Sequence, residues 1–227
     1  GESHLENRLI DLIDGQQDPT IAPYAKDGEV ELRLTTRAAD PAEARRKFRP
    51  VVEEIRRRLG DHLYAEEDIP IETAVFRLLK ERRATLATAE SCTGGLVADL
   101  LTNLPGSSAV FCGGVVAYSN ALKHRLLRVP LETLEGEGAA GAISAEAAEA
   151  MADGLLELTG ADYGIAVTGV AGPDPSEGKP PGLVFVGIAV RGGKTDVHRL
   201  QLSGDRETVK LRAAKAAYYQ LWRKLKA

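Results

Sequence analysis

Residues 85–104 pass from a short apolar, β-prone segment (Thr85 to Ala89) through Ala89-Glu90-Ser91-Cys92-Thr93-Gly94-Gly95 into a helical stretch, Leu96 to Leu104. A strand that runs into a helix across so short a glycine-rich turn must pack sheet against helix, which points to layered α/β architecture. The turn also leaves backbone N–H groups unpaired at a helix start, where an anion can bind or a serine be presented. One account of the turn is purely structural: Ser91 or Thr93 caps the helix, and Gly94 and Gly95 merely permit tight packing. Capping needs one hydroxyl, however, and two glycines in a first helical turn cost about 1 kcal/mol each relative to alanine. Close approach of a ligand would account for that cost.

The flanking sequence alternates helices and strands. Leu5, Leu9, Leu12 and Ile13 mark a first helix, ended by Asp18-Pro19-Thr20. Val30 to Thr35 alternates apolar and polar like a half-buried strand. Asp40-Pro41 opens a helix carrying Phe48, Val51, Val52, Ile55 and Leu59, and Gly60 closes it. The acidic, proline-ended Ala65 to Pro70 reads as a boundary, dividing a small α/β module (1–68) from a larger domain (69–227). Beyond it, Ile71 to Arg83 reads as a helix and Ala109 to Tyr118 as a central strand interrupted by Gly113-Gly114, with a bulge or close backbone approach there. Ser119-Asn120 caps a helix from Ala121 to Leu127, and Ser144 one running to about Thr159. Tyr163 to Thr168 is a short buried strand, followed by a loop from Gly169 to Gly182 with four prolines. Leu183 to Val190 and Val197 to Leu202 form a hairpin, and Gly204-Asp205-Arg206 opens a final helix to Lys224. The fold class expected is α/β: a layered α/β/α domain with a mixed sheet, preceded by a small α/β module.

Composition narrows the function. The formal net charge of −4 over 227 residues offers no global attraction to DNA or anionic membranes. Acidic residues interrupt the basic ones on the 41–59 helix, so no nucleic-acid partner is expected. No apolar run reaches the roughly 20 residues of a bilayer span, and no secretory signal is visible, so the expected location is cytoplasmic. Two cysteines, Cys92 and Cys112, make neither a disulfide framework nor zinc spacing, so no metal and no cofactor are expected. Cys92 reads more simply as a small buried side chain than as a reactive thiol.

In an open α/β sheet, loops at the strands' carboxyl ends share one crevice. That would bring Ser91, Tyr118, Lys123, Thr168 and Arg206 together. A serine hydroxyl needs a base. Of the four histidines, His4 and His62 lie in the first module, His198 sits inside a strand, and His124 has no acid placed to orient it. Lys123 is a different base: burial lowers a lysine's pKa and lets it take a proton. Tyr118 could relay that proton or position the substrate. Arg206, at a helix start where the dipole disfavours a cation, suits an anionic partner.

Together Ala89 to Gly95, Pro105-Gly106-Ser107-Ser108, Val116-Ala117-Tyr118-Ser119-Asn120, Thr168-Gly169-Val170-Ala171-Gly172-Pro173 and Ser203-Gly204-Asp205-Arg206 resemble the CinA C-terminal domain, the nicotinamide-nucleotide amidohydrolase family. The likeness spans about residues 70–226. The opening segment, with Ala25-Lys26-Asp27-Gly28-Glu29-Val30, resembles the KH-like middle module, so the chain looks like a CinA protein without its large N-terminal domain and that domain's metal-dependent pyrophosphatase activity. The resemblance implies hydrolysis of the carboxamide of nicotinamide mononucleotide (NMN) to nicotinic acid mononucleotide and ammonia, with no cofactor and in a homodimer. It implies Ser91 as nucleophile, with Tyr118 and Lys123 assisting its deprotonation and the protonation of ammonia, the base being either. Thr93 and Gly94 of the turn, then Thr168 and the backbone from Gly169 through Ala171, would contact the substrate, and Arg206 its phosphate. The alternative is a non-catalytic nucleotide-binding or regulatory module, with Ser91 binding phosphate only. The stretch Gly136 to Ala140 looks longer than the family's usual loop.

Overall fold

A computed structural model describes residues 2–227; Gly1, the first residue of the expected small module, lies outside them. The chain divides into two compact units, one ending at Ile69 and one beginning at Pro70.

The first unit contains α1 (Glu2–Asp14), β1 (Thr20–Lys26), β2 (Glu29–Thr35) and α2 (Pro41–Leu59). The strands pair antiparallel, Thr20 opposite Thr35 and Lys26 opposite Glu29. Strand β1 escaped the sequence reading because Pro23 breaks its pattern and its residues do not alternate in polarity. Helix α2 begins as expected: Asp40 accepts the Glu43 amide (2.8 Å) and Pro41 occupies the first turn. The Glu43 carboxylate reaches back to the Ala39 amide at 2.7 Å, a variant of the capping box. Leu9, Ile21, Ile55 and Leu59 form the core, with Leu12, Ile13, Leu32, Leu34 and Val51 packed around it. On the outer face Arg56, Arg57 and Arg58 pair with Glu66, Glu54 and Asp11.

The second unit is a layered α/β domain with a mixed sheet, as the alternation of elements predicts. It comprises α3 (Ile71–Arg82), β3 (Leu86–Glu90), α4 (Leu96–Thr102), β4 (Phe111–Val116), α5 (Asn120–Leu127), α6 (Leu131–Leu134), α7 (Ala145–Thr159), β5 (Tyr163–Gly169), β6 (Leu183–Val190), β7 (Asp196–Gln201) and α8 (Arg206–Lys226). The strand order is β4-β3-β5-β6-β7. Strand β3 runs parallel to β4 and β5, while β6 is antiparallel to β5 and to β7. Helix α7 covers one face of the sheet, with α5 beside it; α8, α3 and α4 pack together on the other.

Strand β3 is buried on both faces. Side chains alternate across a strand, so Ala87 and Ala89 join the core beneath α7 with Met151, Ala152 and Leu155. Thr88 and Glu90 then face α4 and α8. The small residues on the α7 side let helix and sheet approach closely. Gly154 carries this furthest: a Cβ there would sit 1.8 Å from the Leu127 carbonyl oxygen, so only glycine permits the α5–α7 contact.

Strand β4 corrects an expectation. It is an edge strand, not a central one, and its burial alternates along its length. Its apolar, β-branched composition suggested burial on both faces. Gly114 permits the close approach to β3, since a Cβ there would lie 2.3 Å from Thr88 Oγ1, and the register of the pair shifts between Leu86 and Ala87.

Candidate active site

The sheet topology gathers the loops that matter. Strands β3, β4, β5 and β7 all end at the same edge, so residues 91–95, 117–123, 170–182 and 202–206 meet there.

Ser91 follows the last residue of β3. Its backbone is held from both sides of the strand: the Ser91 amide donates to Val167 O (2.9 Å), and the Ala117 amide to Glu90 O (2.8 Å). Gly94 and Gly95 have φ values of 63° and 103°. These glycines therefore answer a backbone requirement, and they lie before α4 rather than in its first helical turn, where the sequence reading put them.

Glu90 closes the turn. It is almost wholly buried. Its Oε2 accepts the amides of Gly95 (3.0 Å) and Val97 (3.0 Å), and its Oε1 that of Ala98 (2.8 Å). A carboxylate thus occupies the N-terminus of α4, satisfying donors that would otherwise attract an external anion. Among the described residues, the amides of Cys92 and Thr93 donate to no carbonyl or side-chain oxygen; both act instead on the buried Cys92 sulfur.

Lys123 comes to Ser91 from α5, whose start is set by Ser119 accepting the Leu122 amide. The lysine is only 2% exposed. Its Nζ donates to Ser91 Oγ at 3.0 Å, to Ala117 O at 2.9 Å and to Tyr118 O at 3.4 Å. No carboxylate is among these partners. Burial lowers its pKa from the usual 10.5, against the weaker opposing pull of Glu177 and Cys92. An amine held so has the geometry and basicity to take a proton from the serine. Ser91 itself keeps 9% exposure.

Tyr118 behaves differently. Its side chain is 59% exposed, and its hydroxyl accepts from Arg206 Nη2 at 3.0 Å. Arg206 Nη1 also donates to Gly172 O (2.7 Å), so this arginine ties the β4 exit to the loop after β5. Asp205, just before it, caps α8 through the Thr208 amide at 2.8 Å.

The remaining expected contacts are mostly internal. Thr93 is fully buried and its hydroxyl has no partner among the described residues. Thr168, also buried, donates to Ala142 O at 2.6 Å. A Cβ on Gly169 would lie 2.6 Å from Leu183 O, so its bareness serves packing on β6. Ala171 is 5% exposed. Burial pushes the Cys92 thiol up to about 12, the state of an inert buried side chain. His124 faces the Val129 carbonyl (2.9 Å), His198 lies in β7, and the side chain of His4 lies outside the described residues.

Three features went unread in the sequence. Glu90 is one; its signal is an acid at the end of an apolar strand, just ahead of a helix start. A second is the clasp of Glu177 and Lys179, which accept and donate respectively at the Ala142 and Ile143 amides and the Ala140 carbonyl, pinning residues 140–143. The third is Lys210, four residues after Arg206 on α8 and so on the same helix face. Its ammonium lies over the nucleophile turn: a Cβ on Gly94 would be 3.8 Å from Lys210 Nζ. Among the described residues no cluster of three metal-ligating side chains occurs, and no helix is long and apolar enough to cross a membrane.

The fold of this chain has solved counterparts. A competence damage-inducible protein A from Klebsiella pneumoniae aligns with TM-score 0.65 and 39% identity, covering 69% of this chain and 95% of that one. A competence-damaged protein (CinA) superfamily protein from Escherichia coli aligns with TM-score 0.62 and 31% identity, covering 72% and 96%. In sequence, a protein of Geobacillus kaustophilus named as competence-damage inducible is 49% identical over all 227 residues. A CinA-like protein of Dictyoglomus thermophilum is 46% identical over 212 residues, 93% of this chain and 51% of that one. The family model of the CinA C-terminal domain matches residues 68–225, and that of the damage-inducible protein CinA KH domain matches residues 1–65. The chain belongs to the CinA family. It spans about half the length of the curated relatives it matches, 54% in the Geobacillus case.

Proposed function

We propose that this chain is an amidohydrolase that converts NMN to nicotinic acid mononucleotide and ammonia, with Ser91 as nucleophile and Lys123 as base. The carrying observation is the 3.0 Å contact between Ser91 Oγ and a buried lysine whose pKa is lowered by burial. The geometry favours Lys123 over Tyr118 as the base, because the phenol hydroxyl is engaged by Arg206 instead.

In this reading neutral Lys123 takes the Ser91 proton as Oγ attacks the amide carbon. Backbone N–H groups of the 91–95 turn receive the oxyanion. Collapse breaks the C–N bond, and the Lys123 ammonium returns its proton to the departing ammonia. Water, deprotonated by Lys123, then attacks the Ser91 ester and releases the carboxylate product. The exposed ring of Tyr118 offers a surface for the pyridine, and Arg206 a partner for the phosphate. Residence in the cytoplasm, homodimer formation and the absence of a nucleic-acid partner belong to the same proposal.

The test is ammonia release from NMN, followed by a coupled assay on the full chain. The parent should turn over, and Ser91→Ala should lose at least about a thousandfold in kcat while keeping its thermal transition. Release by the variant at the parental rate would overturn the nucleophile; NMN binding without any release by the parent would leave a binding module.

A further inference from the structure

Three helices begin at this edge: Glu90 fills the N-terminus of α4, the Asp205 side chain caps α8, and the neutral Ser119 hydroxyl caps α5. With carboxylates already at two of the three, side-chain cations are the full positive charges that can balance an anionic substrate group here. Arg206 is one, but it already donates to the Gly172 carbonyl and the Tyr118 hydroxyl, which fixes it in place and commits two of its five N–H groups. Lys210, one turn further along α8, differs. It is half-buried, and among the described residues it has no carboxylate or hydrogen-bond partner. Nothing shields it from the turn, since the residue beneath its ammonium is Gly94.

We infer that Lys210 and Arg206 form a two-cation receptor for a terminal phosphomonoester, and that Lys210 is the residue by which this site selects mononucleotides over nucleosides and phosphodiesters. The inference rests on the amidohydrolase reading for its substrate, but its charge argument stands apart from the chemistry at Ser91. A phosphomonoester carries about −1.5 to −2 near neutral pH, which two cations balance. A diester carries a single charge and continues into a second group. A nucleoside has no anion, so Lys210 gains nothing from it. Arg206 supplies planar, directional donors, and Lys210 a point charge that tolerates small changes in phosphate position.

The experiment compares parent, Lys210→Met and Lys210→Arg. Turnover is measured on NMN, nicotinamide riboside and NAD, and binding of NMN and ribose 5-phosphate by calorimetry. Lys210→Met should lower kcat/KM for NMN by about 10- to 100-fold, mostly through KM. It should leave the riboside within about twofold, and Lys210→Arg should recover most of the loss. The parent should prefer NMN to NAD, and both phosphate ligands should bind it at least about tenfold more tightly than they bind the methionine variant. Equal losses on NMN and the riboside, or unchanged phosphate binding in the variant, overturn the inference. The two readings fail separately. Ammonia release insensitive to Lys210 refutes the receptor alone; Lys210-dependent phosphate binding without ammonia release refutes the amidase alone.

Discussion

Replacing Lys123 by methionine keeps the length of the side chain while removing its charge and donors. Two consequences follow from the contacts of Nζ. Ser91 Oγ loses its proton acceptor, which by the usual contribution of a general base lowers kcat by about 10²- to 10⁴-fold with KM little changed. The Ala117 carbonyl, 2.9 Å from Nζ in a fully buried residue, loses its side-chain donor, at a cost of about 1–3 kcal/mol. Relief from desolvating an amine opposes that cost. The two nearly offset at neutral pH, and the melting temperature should move by only a few degrees. The pH dependence gives the sharper test. Burial places the folded-state pKa of Lys123 below 10.5. Between that folded value and 10.5, the unfolded chain binds the extra proton, so unfolding becomes harder as pH rises. Parental stability relative to Lys123→Met should climb with pH through this window, by at most about 1.4 kcal/mol per pH unit, and level off above 10.5. Urea titrations of both proteins across the alkaline range measure the difference directly. A difference that is flat or falling with pH, or a variant kcat within about tenfold of the parent, would refute the idea of a desolvated lysine base.

Glu90→Gln turns an NH2 group toward backbone donors that now meet carboxylate oxygens. It should cost about 2–3 kcal/mol in chemical denaturation and lower kcat about tenfold while sparing KM; a variant as stable and active as the parent would disprove this clamp. In thiol labelling of the folded protein near pH 8, exposed Cys112 should react and buried Cys92 should not. Both should react in denaturant, and two fast equivalents in the native protein would contradict the burial.

The parts of the fold that rest on local patterning were legible. Asp40-Pro41, Ser119, Ser144 and Asp205 each announced a helix start, and each caps one. Strand β1 was not, because its pairing with β2 is non-local and its sequence carries a proline. The edge position of β4 was hidden because an apolar run reports burial tendency, not sheet order. At the site, Ser91, Lys123, Tyr118 and Arg206 could be named from loop positions, but their partners could not. Whether Lys123 or Tyr118 stands next to the serine depends on where α5 lies after β4. Thr168 and Gly169 looked like ligand contacts since a strand-end threonine and glycine read alike whether they face a crevice or pack inward. Glu90 and Lys210 drew no notice because acids near helix starts and lysines on helices are ordinary until a structure shows what they face.

Hydrogen bonding of β3 on both edges separates two kinds of evolutionary freedom. The segments 135–143 and 170–182 touch each other through the Glu177 and Lys179 clasp, and the Thr168 hydroxyl ties the first of them to β5. Insertions or exchanges there can reshape the rim of the crevice without shifting the anchorage of Ser91 between neighbouring strands. A lineage can thus retune what enters while the reacting oxygen keeps its address.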